Sequence, residues 1–227
     1  MGDPIKKGEY KNRRNLAFRD IKDMNAPWRS ALSLARQSRC AKGEDVQLGR
    51  DLLFLERGKV RLTHYSKEGM EKTLWYIREG CIFGETPFFD PMPGEGVFTC
   101  MTECVIYAFS AQALDKIGKE RPDLLRNLFQ SMARKLRVMS CHASSLYLDD
   151  VLARLCKFLS QRLVPDSSPL VAKIGISRQE LASLLGTHRI SLYRVLRLQE
   201  ERGLFGPITR GTMTILRPHE FYKLAEK

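Results

Sequence analysis

From Pro122 onward the apolar side chains Leu125, Phe129, Met132, Leu136, Met139, Ala143 and Leu146 follow one another at alternating spacings of four and three. That is a heptad seam, and at about 1.5 Å per residue it runs roughly 40 Å along one side of a helix. Proline suits the first turn, where its missing N–H has no intrahelical partner to lose. A stripe of that length exceeds what a small domain buries, so its natural cover is the same helix of a second copy. The competing cover is the chain's own N-terminal half.

The seam divides the 227 residues into four expected segments: a basic extension over 1–39, a strand-rich domain over 40–113, a long dimerisation helix over 114–150, and a C-terminal module over 151–227. Charge follows the same division. Residues 1–39 carry +6, residues 40–150 carry −1 and residues 151–227 carry +7. A neutral centre between positive ends fits a polyanion held by the ends, with another task left to the middle. The longest apolar run, Cys104-Val105-Ile106-Tyr107-Ala108-Phe109, is far short of a membrane span, and no secretory signal opens the chain. The expected setting is cytoplasmic, with Cys40, Cys81, Cys100, Cys104, Cys141 and Cys156 as free thiols.

Residues 1–39 lack a clear period. The stretch 6–14 reads as a solvated basic arm, followed by a short helix near 28–36. Over residues 40–109 the segments Leu52-Leu53-Phe54-Leu55, 59–65, 72–77 and 104–109 are strand-like, and Gly58, Gly69 and Gly80 mark turns between the first three and after them. Short strands at that interval predict an antiparallel sandwich or barrel. After the seam, Val151, Leu152, Leu155, Phe158, Leu159 and Leu163 share one helix face, which ends at the breaker Pro165-Asp166-Ser167-Ser168-Pro169.

The C-terminal module carries the most specific signal. Ser177 and Glu180 form a Ser-x-x-Glu capping box, Leu181, Leu184 and Leu185 give that helix an apolar face, and Gly186 ends it. A second helix begins around Thr187-His188 and buries Leu192, Val195 and Leu196, leaving Arg189, Ser191, Arg194 and Arg197 outward. Two short helices joined by a glycine turn, the second basic on its outer face, make a helix-turn-helix. Pro207-Ile208-Thr209, the turn Arg210-Gly211 and residues 212–216 add a hairpin wing. Arginines on such a helix read guanine O6 and N7 in the major groove. Ser177, Arg178, Thr187, His188 and Arg210 are further candidates for contact with DNA.

With Gly58-Lys59-Val60, Phe83-Gly84-Glu85, Met132-Ala133-Arg134-Lys135-Leu136, Ile176-Ser177-Arg178-Gln179-Glu180-Leu181 and this helix-turn-helix in order, residues 40–217 resemble the CRP/FNR family of transcription regulators. The resemblance implies an α+β protein. Its parts are an antiparallel β-roll like a cyclic-nucleotide-binding domain that senses an effector, a long dimerising helix and a winged helix-turn-helix. Arg189 and Arg194 match the family's base- and phosphate-facing arginines. Ile190 stands where many members carry a base-reading glutamate, so the half-site should differ from theirs. Double-stranded DNA with a palindromic site, a second copy of the chain and, for an activator, RNA polymerase are the implied partners.

In nucleotide-binding members an Arg-Ser pair follows the Gly-Glu of the roll by about ten residues. Here that slot falls on Gly94-Glu95 or Glu95-Gly96, and residues 79–115 contain no Lys or Arg. A buried phosphate there would lack its charge partner, a loss of roughly 3–5 kcal/mol, so cyclic AMP is not the expected effector. The expected pocket combines Gly84 and Glu85 with Trp75, Phe83, Phe88 and Phe89, backed by Met139 and Ser140, and suits a small apolar ligand. The effector itself stays open. Haem is one alternative, with His64, Cys81, Met139 or His142 as residue types that bind iron and no spacing selecting among them. A thiol redox switch is another, with no cysteines selected for it. An iron–sulfur cluster is not expected, because only Cys40 precedes residue 80, and no metal site is read from the spacings.

Catalysis is not expected. His64 is the only histidine before residue 142, and no phosphate-cradling glycine loop or nucleophile elbow occurs. A ligand-binding module whose basic C-terminal domain is merely structural is the reading from a different class, and it leaves residues 170–217 without a use.

Overall fold

The computed structural model describes residues 22–90, 92 and 96–226. The basic arm over 6–14 and the Gly94-Glu95 slot lie outside them. The chain divides into two compact units, the first ending at Arg137 and the second opening at Val138.

The first unit is built on two antiparallel sheets. One has the order β1 (Arg36–Cys40), β7 (Cys104–Phe109), β2 (Leu52–Arg57), β5 (Cys81–Phe83), and the other β4 (Glu71–Arg78), β3 (Lys59–Tyr65), β6 (Gly96–Cys100). Strands β2, β3, β4 and β7 fall where alternation and turn residues place them. Gly58 makes the β2–β3 turn at φ +106°, and a Cβ there would stand 2.5 Å from the Glu103 carbonyl oxygen, so only glycine fits.

The first sheet is covered on both faces. Leu53, Leu55, Cys81, Phe83, Ile106 and Ala108 meet Val60, Ile77 and Cys100 of the second sheet, with Trp75 and Phe98 packed against them. From the opposite face Leu52, Phe54, Ile82 and Phe109 meet Trp28, Ala31, Ile117, Leu124 and Leu128. Two-sided burial explains why β2 reads Leu-Leu-Phe-Leu rather than alternating.

The helices on that outer face redraw two expected boundaries. A 3₁₀ helix, Ala26–Leu34, places Trp28 at zero exposure with its ring edge-on to Phe109 at 5.3 Å. Buried Asn25 accepts from the Ile82 N–H at 3.0 Å and donates to Asn127 at 2.9 Å, and Asn127 donates to the Met24 carbonyl. Strand β1 then pairs with β7, Arg36 against Ala108 through Cys40 against Cys104. Residues 22–39 therefore belong to the roll and not to an extension, because their apolar and amide side chains complete its core. The expected helix over 114–150 is likewise two helices. α1 (Glu85–Phe89) interrupts the strands, α2 (Ala111–Glu120) is capped by the Ser110 hydroxyl, and α3 (Pro122–Leu148) restarts at the proline.

On α3 the buried positions are Leu124, Leu128, Ser131, Lys135, Val138, His142 and Ser145, one step beside the expected seam. The seam itself is largely open: Phe129 is 62%, Leu136 73% and Leu146 41% exposed. Leu125 and Met132 are partly covered, Met132 by the roll's outer core.

In the second unit Asp150 caps α4 (Val151–Ser160), accepting from the Ala153 N–H at 2.7 Å. Beside it the buried Asp149 carboxylate takes hydrogen bonds from Ser145 and Lys157 at 2.5 Å each. Strand β8 (Val171–Lys173) precedes the two short helices, and β9 (Thr212–Thr214) pairs back onto it, Val171 with Thr214. α7 (Pro218–Ala225) packs Phe221 into this core.

Trp28→Ala is expected to destabilise the first unit by about 3–5 kcal/mol, the range for emptying a large aromatic site, measured as a shift in urea midpoint. A shift typical of a surface substitution would detach the N-terminal segment from the core.

Candidate nucleic-acid interface and sensor site

The capping box forms as the spacing demands. The Glu180 N–H donates to Ser177 Oγ at 3.2 Å, and the Ser177 N–H donates to Glu180 Oε2 at 2.8 Å. α5 (Arg178–Leu185) ends on Gly186 at φ 63°, ψ 50°, and the Thr187 N–H closes the turn on the Ala182 carbonyl at 3.0 Å. α6 (Arg189–Glu201) follows with His188 at its cap position, whose side chain makes no capping bond. Leu181, Leu184, Leu185, Leu192 and Leu196 are buried between the helices, which fixes the angle between them.

The outer face of α6 carries exposed Arg189, Arg194 and Arg197, with Ser191 half-buried at its side. Arg197 is held by Glu201 one turn on, Nε to Oε1 at 3.0 Å, and that hydrogen bond raises its pKa further. Ile190 is 66% exposed in the middle of this basic face. Two contributors went unnoticed in the sequence. Tyr193, 52% exposed, and Gln179 join Arg178, Arg189 and Ile190 around a concavity of about 430 Å³. The signal for Tyr193 was present, since positions 189, 193 and 197 lie four apart on one row of the helix.

The wing turns at Arg210 and Gly211, with φ 52° and 75°. Thr209 and Thr212 exchange backbone hydrogen bonds at 3.0 Å each, the geometry of a two-residue hairpin whose two central residues both need positive φ. Arg210 is exposed at its tip. The expected partner segment, 207–209, touches β9 only through the Thr209–Thr212 bridge, and β8 supplies the regular pairing because Pro207 has no N–H to give a ladder.

In the first unit Gly84, buried at φ 79°, precedes Glu85 at the start of α1. The Glu85 carboxylate is bound by the Lys135 ammonium, which also donates to the Ile82 carbonyl at 2.6 Å. Both side chains are about nine-tenths buried, at 8% and 12% exposure. The stretch without Lys or Arg thus acquires a cation from α3, fifty residues away in sequence.

Within the first unit the residues of the expected apolar pocket divide between the two cores. Phe83 stacks at 5.3 Å on Phe98 in the inner core, with Trp75 packed beside it. Phe88 turns to the outer core, and Phe89 is 47% exposed. Phe83 lies on a strand facing the inner core, whereas Phe88 and Phe89 follow on the short helix α1, beyond the Gly84 turn. Met139, half-buried, and Ser140, exposed, belong to the second unit. The residue types raised for haem sit on β3 (His64), β5 (Cys81) and the second-unit part of α3 (Met139, His142). Among the described residues no group of three or more His, Cys, Asp or Glu side chains is placed to hold a metal ion. No described helix is long and apolar enough to cross a membrane.

Comparison with known proteins matches both halves. Residues 42–121 fit the cyclic nucleotide-binding domain family and residues 153–224 the Crp-like helix-turn-helix domain family. The chain is 28% identical over 157 residues to the cAMP-activated global transcriptional regulator CRP of Salmonella typhimurium, covering 67% of this chain and 75% of that one. Among solved structures, CprK complexed with OCPA superposes with a TM-score of 0.76 at 16% identity, covering 92% of this chain and 99% of that one. The c-di-GMP responsive regulator CLP of Xanthomonas campestris superposes with a TM-score of 0.72 at 24% identity, covering 85% and 99%. A roll with a Gly-Glu turn, a long helix and a capped helix-turn-helix, each in its place and each matched in chain order, make this chain a DNA-binding transcription regulator of the CRP/FNR family.

Proposed function

We propose that two copies of the chain, joined along α3, read a palindromic DNA site with α6 and that an effector other than cyclic AMP, sensed in the roll, sets their affinity. The observation that carries the DNA half is α6 itself. Its inner face is spent on Leu192 and Leu196 and its outer face is arginine-rich, solvent-exposed and entered through a tight αL turn. Arg189, Arg194, Arg197, Ser191 and Tyr193 face the groove, and Ser177, Arg178, Thr187, His188 and Arg210 lie where a helix start and a wing tip meet phosphates. Ile190 offers no hydrogen bond to a base but fits a thymine methyl.

Support for the paired state is the open stripe Phe129, Leu136 and Leu146, three large apolar side chains on one helix face that a lone chain leaves in water. A parallel pair of such helices places two reading helices on one face of DNA, with half-sites about 34 Å apart. An effector that changes how α3 pairs therefore changes DNA affinity as a shift of population. RNA polymerase is a further partner where the bound protein activates.

The effector reading rests on Glu85. Its carboxylate is already committed to Lys135, so a ligand that uses Glu85 must also displace a buried ammonium. Proteins sharing this fold are named as cAMP-activated, c-di-GMP responsive or complexed with OCPA, so the fold alone selects no ligand. Transcription regulation, not catalysis, is the common activity.

Selection of bound sequences from a random DNA pool should return an inverted repeat. Arg189→Ala should weaken binding by about 1–3 kcal/mol and relax preference at one base pair of each half-site, whereas a uniform loss over all sequences makes Arg189 a phosphate contact. Leu136→Glu should convert a dimer to a monomer in sedimentation velocity, and an unchanged dimer refutes the seam. Calorimetry with cyclic AMP should show no micromolar binding, and a micromolar isotherm would overturn the effector reading.

A further inference from the structure

Cys40 closes β1 and faces Cys104 across the β1–β7 register. Cys100 closes β6 in the other sheet. The chain leaving β1 crosses to that sheet at once. The Gly43 N–H donates to the Cys100 carbonyl at 2.7 Å, and the Cys100 N–H donates to the Glu44 carbonyl at 2.8 Å. The crossing gathers three thiols: Cys40 stands opposite Cys104 in the ladder, and the Cys100 backbone is bonded to Gly43 and Glu44, three and four residues beyond Cys40.

The three differ in access. Cys104 is fully buried, and its thiol is turned to the Thr102 and Lys59 carbonyls at 3.3 and 3.6 Å. Cys100 is 1% exposed. Cys40 is half-buried and lines a cavity of about 420 Å³ with Arg39, Glu44, Val46, Leu48 and Ile106.

We propose that this cluster is an oxidation site, at which a peroxide reaching the cavity oxidises Cys40 and Cys100 then closes a disulfide that ties the two sheets of the roll together. In the first step the Cys40 sulfur attacks one peroxide oxygen. An S–O bond forms, the O–O bond breaks, and the departing hydroxide leaves as water with the thiol proton. In the second step the Cys100 sulfur attacks the sulfenic sulfur. The S–S bond forms, the S–O bond breaks, and the hydroxide leaves as a second water with the Cys100 proton. Two thiols give up two electrons, and one peroxide becomes two waters.

Cys104 is the less suitable partner because its sulfur is held by the two carbonyls, whereas Cys100 closes the strand to which the chain leaving Cys40 crosses. Burial, then Glu44, pushes the Cys40 thiol up, and burial pushes up Cys100, so thiolates are scarce near neutral pH and excess peroxide is the right probe. Cys81 is fully buried, and burial pushes Cys156 up to about 12. Half-buried Cys141 lies in the second unit and serves as the control.

The bond itself does not depend on the regulator reading, but its effect on DNA does. The full chain is treated with excess hydrogen peroxide, and peptides are mapped without reduction. The expected product joins Cys40 to Cys100 in the wild type and in Cys141→Ser, and is missing in Cys40→Ser. Cys100→Ser should instead stall at a Cys40 sulfenic acid that dimedone labels. Should that buried substitution fail to fold, Cys40→Ser still decides the matter. No cross-link, or one through other cysteines, overturns the proposal. Oxidation should also shift DNA affinity several-fold in the wild type and leave Cys40→Ser unchanged. A mapped Cys40–Cys100 bond in a chain whose reduced form binds no DNA sustains the oxidation site and sinks the regulator reading instead.

Discussion

Helix α3 serves two masters along adjacent rows of one surface, and the rest of the molecule is arranged around that division. Leu124, Leu128, Ser131 and Lys135 face inward, and Phe129, Leu136 and Leu146 stay open. Rows one residue apart differ by about 100° around a helix, so the inward row fixes the direction of the outward one. Lys135 and Leu136 are neighbours in sequence. Leu136 is the most exposed large apolar side chain among the seam positions, so buried Lys135 sits directly beside the most open point of the seam.

The ion pair at Glu85 has a cost that shapes its role. Two charges taken out of water regain their hydration only through good geometry, and losing either partner strands the other at roughly 3–5 kcal/mol. The Ile82 carbonyl supplies a further acceptor to Lys135, which keeps the ammonium satisfied. A pair of this kind adds little net stability compared with apolar packing, but it has a sharply defined closed state. If the proposed effector reaches this turn, an anionic one would compete with Glu85 for Lys135, a cationic one would compete with Lys135 for Glu85, and a neutral apolar one would leave the pair in place.

How legible each part was in sequence follows the range of the interactions that make it. The helix-turn-helix is local: Ser177 and Glu180 three apart, Gly186 at the stop, Leu192 and Leu196 one turn apart. Every one of those signals is carried by neighbours in the chain, and every one forms. Strands β2, β3, β4 and β7 also announce themselves through apolar content and flanking glycines. Strand β1 does not, because Arg36-Gln37-Ser38-Arg39-Cys40 has no apolar face of its own and is a strand only through its ladder with β7. The 3₁₀ helix is legible as a short helix near 28–36, but its membership of the roll is not, since its contribution to the core is concentrated in Trp28 and Ala31. The Lys135–Glu85 contact spans fifty residues, and a charge count over a window cannot see a cation delivered from another element. The three thiols gather for the same reason, by a chain crossing between sheets that no spacing encodes.

On the reading helix, the two kinds of exposed side chain have different free-state costs. Arg197 gives up only an exposed i,i+4 pair with Glu201 when it meets a phosphate, and pairs of that kind contribute little in water. Ile190 has nothing to give up. Its apolar surface is in water until a groove covers it, so its burial favours any complex in which a methyl group lies opposite and disfavours one in which a base amino group is left without an acceptor. In the proposed complex Arg189 reads a base, the other arginines supply affinity for duplex in general, and the aliphatic residue among them would penalise a wrong base at its own position. Discrimination at that position, in the proposed complex, would arise from an unsatisfied polar group on the DNA and persist at salt concentrations that screen the arginines.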